Sequence, residues 1–194
     1  MMYLHYKKIT DILCIEDTGN LRLNTEQRML LQDYRYRQLQ QHTTQPLDIE
    51  MNEFGKPVSS QINFNHSHSQ RYYALAYSRS LVNVGVDIED FSRNVRMRAL
   101  AEHCFHEEEL LQWKQLGEDR SFWFQVWTIK EAVLKAHSLG IRLNLRTLNT
   151  QADPNSLQGI VEHEKIGRFY YQSFKLTDSM LTVASDECFK VQWV

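Results

Sequence analysis

Proline occurs only three times in this chain of 194 residues, and no Pro/Gly-rich or low-complexity stretch interrupts it. A flexible linker has no sequence to form it, so two halves, if present, pack directly on each other. Cysteine is equally scarce. Cys14, Cys104 and Cys188 are odd in number and far apart, which argues against a disulfide framework and for a reducing compartment. No apolar run is long enough to span a bilayer, and the opening "MMYLHYKKITDILCIED" has no basic flank leading into an uninterrupted apolar segment. Neither a secretory leader nor a membrane span is expected, and cytoplasmic residence is. An excess of one charge sign is missing too: Lys and Arg total 22 against 24 Asp and Glu, a formal net charge of -2. No basic field advertises nucleic acid or an anionic membrane, so any anion site must be local. G-x-S-x-G, Walker and G-x-G-x-x-G patterns do not occur, which leaves hydrolase, ordinary nucleotidase and dinucleotide readings without support.

What is present is apolar material, 42% of residues with 11% aromatic, enough to fill one medium domain or two small halves sharing a core. "NTEQRMLLQDYRYRQLQQH" predicts a helix from a cap at Asn24 or Thr25 to about residue 41, with Met29, Leu30, Tyr34 and Leu39 at helical spacings. "NEFGKP" is a turn, in which Gly55 supplies a permissive backbone and Pro57 biases Lys56 toward an extended conformation. "INFNHSHS", "RYYALAYSR" and "LVNVGVDIE" read as three strands of a hairpin or meander. Residues 95 to 117 predict two helices, the second opening around His106 and closing at Gly117. Residues 121 to 139 form the clearest helix, with Phe122, Val126, Ile129 and Val133 at steps of four, three and four and Gly140 as its stop. From Leu143 onward, short apolar runs between turns predict more strands. The order of helix, strands, helices, strands fits an α+β fold of two similar halves, each a helix against a small antiparallel sheet.

The chemistry concentrates in "VNVGVDIEDF", residues 82 to 91. In a strand, residues two apart share a face, so Asp87 and Glu89 point one way while Val86 and Ile88 point the other. Gathering two carboxylates is unfavourable unless water or a cation neutralises them, so the pair is either an exposed strand end or half of a cation site. On the long helix, Trp127, Glu131 and Lys135 form a stripe at i, i+4 and i+8, with Lys130 beside it. Glu131 and Lys135 alone would make an ordinary surface ion pair worth about 0.3 to 0.5 kcal/mol. Together with Asp87 and Glu89, and with no accompanying Cys/His cluster, Glu131 instead suits a hard, oxygen-seeking ion such as Mg²⁺, which also binds substrate phosphate. Lys130 and Lys135 would then face phosphate, and the implied chemistry is phosphoryl or phosphodiester transfer.

"FGKP" (54 to 57), "FNHSHS" (64 to 69), "VGVDIE" (84 to 89) and "FWFQVWTIKEAVLKA" (122 to 136), which contains W-x-x-K-E-A-x-x-K, occur in the order found in the 4′-phosphopantetheinyl transferases. The chain resembles the larger, Sfp-type class of that superfamily. The resemblance implies an intramolecular pseudo-dimer of two α/β halves, residues 1–82 and 83–194, the second carrying the metal ligands, with the site in the cleft between them. It further implies an Mg²⁺-dependent enzyme, with Mn²⁺ as the other candidate ion. Such an enzyme, a holo-[acyl-carrier-protein] synthase, moves the phosphopantetheine arm of coenzyme A to a serine of an apo acyl, peptidyl or aryl carrier protein and releases adenosine 3′,5′-bisphosphate. By the same resemblance Asp87, Glu89 and Glu131 are metal ligands, Lys135 contacts the diphosphate and Lys130 sits at a lysine position of the family. His68 matches a histidine near the adenosine 3′-phosphate, and Gly55 and Lys56 match a turn close to the nucleotide. One chain is expected to be one active unit, a monomer.

Two departures accompany the resemblance. His66 stands where the family is usually aliphatic, and the segment before the first helix is short, without a basic cluster to grip the 3′-phosphate; Arg28, Arg35 and Arg37 are the cations available to compensate. His66 and His68 could chelate a transition metal, but no third and fourth ligand follow at a recognisable spacing. His103, Cys104 and His106 beside Glu107 to Glu109 read better as a helix start with acids in its first turn than as a zinc site; by the family's pattern Glu109 is expected near the site, though not as a ligand. Arg93, Arg96 and Arg98 form either a solvated face or a patch for the acidic helix of a carrier protein. The rival readings are a non-catalytic coenzyme A or carrier-protein binding module of the same fold, and an interaction protein with an acidic exposed edge.

Overall fold

The computed structural model of the chain describes residues 1–17, 21–53, 55–137 and 143–194; Gly140, the expected stop of the long helix, lies outside them. The described elements are strand β1 (Met2–Lys8), helices α1 (Ile9–Leu13) and α2 (Thr25–Gln40), strands β2 (Glu50–Met51), β3 (Pro57–Val58), β4 (Asn63–His68), β5 (Tyr72–Ser78) and β6 (Gly85–Asp90). Then come helices α3 (Met97–Cys104), α4 (Glu107–Gln115) and α5 (Arg120–His137), and strands β7 (Gln158–His163), β8 (Gly167–Lys175), β9 (Ser179–Ser185) and β10 (Val191–Trp193).

Asn24 opens α2 with a reciprocal cap: its side-chain oxygen accepts from Gln27 N at 2.8 Å, and Gln27 Oε1 accepts from Asn24 N at 3.0 Å, which satisfies two otherwise orphaned donors. The buried line of this helix is Leu31, Arg35 and Leu39. Met29 and Leu30, expected to help form it, are 63% and 45% exposed, because they lie about 200° and 100° around the helix from Leu31. The paired helices α3 and α4 meet the expectation for residues 95 to 117, with His106 as the cap of α4 and Gly117 at φ +68° just beyond it.

Two four-stranded sheets carry the fold, in the orders β10-β1-β5-β4 and β6-β9-β8-β7, besides the two-stranded β2-β3. Strands β4 and β5 make the expected antiparallel hairpin. Strand β6 does not continue it as a meander; it pairs antiparallel with β9 in the other sheet. Alternation along the strands explains the switch. Val86 and Ile88 of β6 and Leu181 and Val183 of β9 share an apolar cluster with Leu4, Tyr72, Ala74 and Ala76 of the first sheet. The opposite face of the first sheet, Phe64, Tyr73, Leu75 and Tyr77, packs on Leu31 and Leu39 of α2. Met180 and Ala184, on the opposite face of the second, pack with α5. The layers therefore run α2, first sheet, second sheet, α5. The C-terminal strand β10 returns to pair in parallel with β1. Among the described residues no helix is long and apolar enough to cross a membrane, and all three cysteines are free thiols.

Strand β6 and helix α5 touch backbone to backbone. A Cβ added at Gly85 would lie 2.0 Å from Ala132 O and 2.6 Å from Ala136 N, so only glycine permits the approach. Gly85→Ala is expected to cost at least about 1–3 kcal/mol of stability, the usual range for overpacking, read as a lower urea midpoint with unchanged m-value.

Candidate active site

Helix α5 is preceded by Asp119, whose Oδ1 accepts from Phe122 N at 2.7 Å and caps the first turn. From Phe122 to Ala136 every residue is buried except Trp127, Glu131 and Lys135. A helix enclosed on all sides belongs to the core, and its one open line is the stripe that carries the acid and the lysine. That line forms a wall of a cleft of about 730 Å³, whose other walls include Asp87 and Glu89 of β6, Ser67 and His68 of β4, Arg93, and Arg22 and Arg28 from the start of α2 and the segment before it. Asp87, Glu89, Glu131, Lys135, His68 and Arg28, far apart in sequence, thus share one space.

The electrostatics of this space are unbalanced. Asp87 is 4% exposed; its Oδ1 accepts from Lys135 Nζ at 2.7 Å and from Ser67 Oγ at 2.9 Å. Its Oδ2 is buried without a hydrogen-bond partner. Glu89 pairs with Arg93, yet burial, and then the Asp87 charge, push its carboxyl up to about 7. Burial and Asp87 raise Glu131 as well. Among the described residues Glu131 makes no ion pair within the usual distance, unlike the other two acids. Partly desolvated carboxylates gathered around Asp87, whose charge raises the proton affinity of Glu89 and Glu131, form a site short of positive charge. An all-oxygen donor set with one buried orphan oxygen fits a hard divalent cation such as Mg²⁺ or Mn²⁺. The three acids line the cleft without converging: among the described residues no group of three or more His, Cys, Asp or Glu is already arranged to hold a metal. Lys135 meanwhile occupies Asp87 Oδ1.

The remaining expected site residues lie elsewhere. Lys130, expected beside Lys135 and facing phosphate, is 0% exposed and turned away from the cleft. It makes an ion pair with Glu109 Oε2 at 2.8 Å and donates to the carbonyls of Leu145 and Leu148. Glu109 also accepts from the backbone of His106 and from Thr150 N and Oγ1, so it is buried in a structural network. Direction on the helix decides this: Lys130 is one residue, about 100°, around the helix from Glu131. Lys56 donates from Nζ to Lys135 O at 2.7 Å at the C-terminal end of α5, where a cation is favoured by the negative end of the helix dipole; burial pushes it down to about 8. Gly55, at φ +75°, lines a second cavity of about 420 Å³ that shares Leu23, Arg28 and His68 with the cleft. His66 lines this cavity too, and its Nε2 is engaged at 2.6 Å by Arg35 Nη1, so that nitrogen is not free for a transition metal. Arg98 pairs with Glu118 on the surface.

Sequence reasoning missed Arg22 and Ser67 and gave Arg93 a different place. Nothing in the local pattern of "NLRLN" or "NHSHS" marks those two as cleft residues; only the meeting of β4, β6 and α5 does.

The cleft thus sets strand-borne and helix-borne acids beside a lysine, with arginines and a histidine among its other lining residues. Comparison with known proteins specifies the class. The 4′-phosphopantetheinyl transferase superfamily model matches residues 83–184, just over half of the chain, and the chain belongs to that superfamily. A 4′-phosphopantetheinyl transferase, gsp, of Aneurinibacillus migulanus is 37% identical over 113 residues, 57% of this chain and 45% of that protein. A protein of Haemophilus influenzae (strain ATCC 51907 / DSM 11121 / KW20 / Rd), provisionally named as a 4′-phosphopantetheinyl transferase, is 32% identical over 98 residues, 48% of this chain and 41% of its own length. The matches therefore span less than half the length of either relative.

Removing one member of the buried pair tests its structural role. Lys130→Met strands the Glu109 charge and is expected to cost about 3–5 kcal/mol in chemical denaturation, with Lys130→Met/Glu109→Gln recovering part of the loss. A pH effect follows from His66, which burial and then the Arg35 charge push down to about 3 from an ordinary 6.5. Between those values the unfolded chain binds the proton and the folded chain does not, so stability is retained above 6.5 and falls as pH drops toward 3. Equilibrium melts across this range should show a shallower pH slope for His66→Leu.

Proposed function

We propose that this chain is an Mg²⁺-dependent 4′-phosphopantetheinyl transferase that moves the phosphopantetheine arm of coenzyme A to a serine of an apo acyl, peptidyl or aryl carrier protein. The observation that carries this reading is the gathering of Asp87, Glu89, Glu131 and Lys135 from one strand and one helix into a single cleft with a cationic rim. In this reading residues 1–82 and 83–194 are the two similar halves of a pseudo-dimer, and one chain is one active unit.

In the transfer, the serine oxygen bonds to the phosphorus that bears the pantetheine arm. The anhydride P–O bond breaks, and its electron pair leaves on adenosine 3′,5′-bisphosphate. Asp87, Glu89 and Glu131 would hold the cation, which when bound neutralises charge on the diphosphate. Lys135, freed from Asp87, places a fixed positive charge toward the departing phosphate, where it counts most in the transition state. Arg28 and His68, which line both cavities, bind the nucleotide end. Glu131 lacks an ion-pair partner within the described residues and its proton affinity is raised by burial, so it is the group to receive the serine proton, directly or through water.

The test is mass spectrometry after incubation with coenzyme A, Mg²⁺ and a panel of apo carriers. One phosphopantetheine mass should appear on a carrier serine. Glu131→Gln should lose at least about a hundredfold in rate, the lower range for a general base, with an unchanged thermal melt. A binding module would retain coenzyme A and leave every carrier unmodified; normal transfer by Glu131→Gln would remove the assigned role.

A further inference from the structure

Asp90 ends β6 one residue beyond Glu89, and strand alternation points it to the opposite face. It is 1% exposed and is not among the residues that line the cleft. Both of its oxygens are engaged. Oδ1 accepts from Ser69 Oγ at 2.8 Å, Oδ2 accepts from Arg71 N at 3.1 Å, and Arg71 Nε lies 3.8 Å from Oδ1. The same guanidinium reaches Asp178 Oδ2 with Nη1 at 2.9 Å, and that oxygen also accepts from Tyr72 Oη at 2.9 Å. Asp178 directly precedes β9, and its carbonyl accepts from Phe91 N at 2.9 Å. Two acids at one end of the second sheet therefore hold the turn, residues 69–71, that joins β4 to β5 in the first.

That turn is closed by a side chain as well as by the backbone. Ser69 N donates to Tyr72 O at 2.9 Å, and Tyr72 N donates in return to Ser69 Oγ at 3.0 Å. A hydroxyl has one proton to give and two lone pairs to offer. The Asp90 carboxylate, charged and nearer than Tyr72 O at 3.5 Å, takes the proton and leaves the lone pairs to the Tyr72 and Arg71 amides. Ser67, His68, Ser69 and Gln70, in and beside the turn, line the cleft, and Ser67 Oγ donates to Asp87 Oδ1. We propose that Asp90 is a positioning residue: by fixing the turn at residues 69–71 it sets the cleft wall carried by β4 against the acids carried by β6. Buried and outside the cleft lining, it acts only through the turn. That the ligand held by this wall is coenzyme A rests on the transferase reading. A wall that meets the ligand away from the reacting phosphorus serves ground state and transition state alike, so loosening it weakens binding and spares the chemical step.

Asp90→Asn keeps the shape and one acceptor oxygen, but it sets an N–H opposite Arg71 N and removes the charge that faces the guanidinium. Calorimetry of the full chain with coenzyme A and Mg²⁺, without a carrier, should show binding weakened at least about fivefold, well inside the hundredfold that a misplacement of about 1 Å can cost. With a carrier present, KM for coenzyme A should rise by the same factor while kcat stays within about twofold of wild type. Hydrogen exchange should speed up in residues 67–72 ahead of the rest of the first sheet. Ser69→Ala should weaken binding by a like factor, and the double variant no more than either single change, because both act through one turn. Ser78→Ala is the control. Its buried hydroxyl accepts from Leu81 N at 3.0 Å at the other end of β5, so its loss should lower the urea midpoint and leave coenzyme A binding as in wild type. An Asp90→Asn protein that binds as wild type, unchanged exchange in residues 67–72, additive effects of the two turn variants, or an equal loss of binding in Ser78→Ala each overturns the proposal. Carriers modified by a protein whose coenzyme A affinity is indifferent to Asp90 remove this proposal alone. Coenzyme A binding that requires Asp90, with no carrier ever modified, removes the transferase reading alone, and a wild type without affinity for coenzyme A removes both.

Discussion

The close approach of strand β6 to helix α5 is the constraint on which the rest of the structure depends. Gly85 lets the two backbones meet where any side chain would collide with Ala132 and Ala136. Two residues further along the strand, on the same face, Asp87 meets Lys135, with Glu131 one turn back along the helix. Hydrophobic burial drives the seam from the opposite side: Val86 and Ile88 sit in the cluster that joins the sheets. The apolar face therefore fixes the register that holds the acidic face in place, and the energetic cost of crowding carboxylates is offset by burial a few ångströms away.

Two lysines on α5 show how direction on a helix decides chemistry. Lys130 and Lys135 lie five residues apart, hence about 140° apart around the axis. The first points into the core, binds Glu109 and holds the carbonyls of Leu145 and Leu148, fastening the segment after α5 to α4. The second reaches the cleft and Asp87. Lys56 arrives from the β2–β3 turn to hold the carbonyl of Lys135 itself, so the end of the helix that carries the cleft lysine is tied to the N-terminal part of the chain. The cleft is shaped by both parts, and movement of one against the other would change the reach of Lys135.

The superfamily match begins at residue 83 and ends at 184, and so contains the acids, Lys135 and the seam. The residues that line the second cavity precede it. In the N-terminal part Arg35 Nη1 contacts His66 Nε2 at 2.6 Å. A buried polar pair without a counter-charge is unfavourable for folding alone.

Much of this was legible from local pattern. Capping at Asn24 and His106, the strand alternation of Asp87 and Glu89 against Val86 and Ile88, and the i, i+4, i+8 stripe of Trp127, Glu131 and Lys135 follow from backbone periodicity, which a sequence encodes directly. Strand β1, its parallel partner β10 and the transfer of β6 to the second sheet were not legible, because pairing between distant segments is chosen by which apolar faces fit. The same limit applies to single side chains. Sequence placed Lys130 next to Lys135 and Met29 inside α2; tertiary packing buried the first lysine, opened the second to the cleft and turned Met29 to solvent. Composition and periodicity determined the elements and the chemical type of the site. Only the packed structure decided which charges share a space, since a charge's role depends on the distance and dielectric between it and its neighbours, and neither is written along the chain.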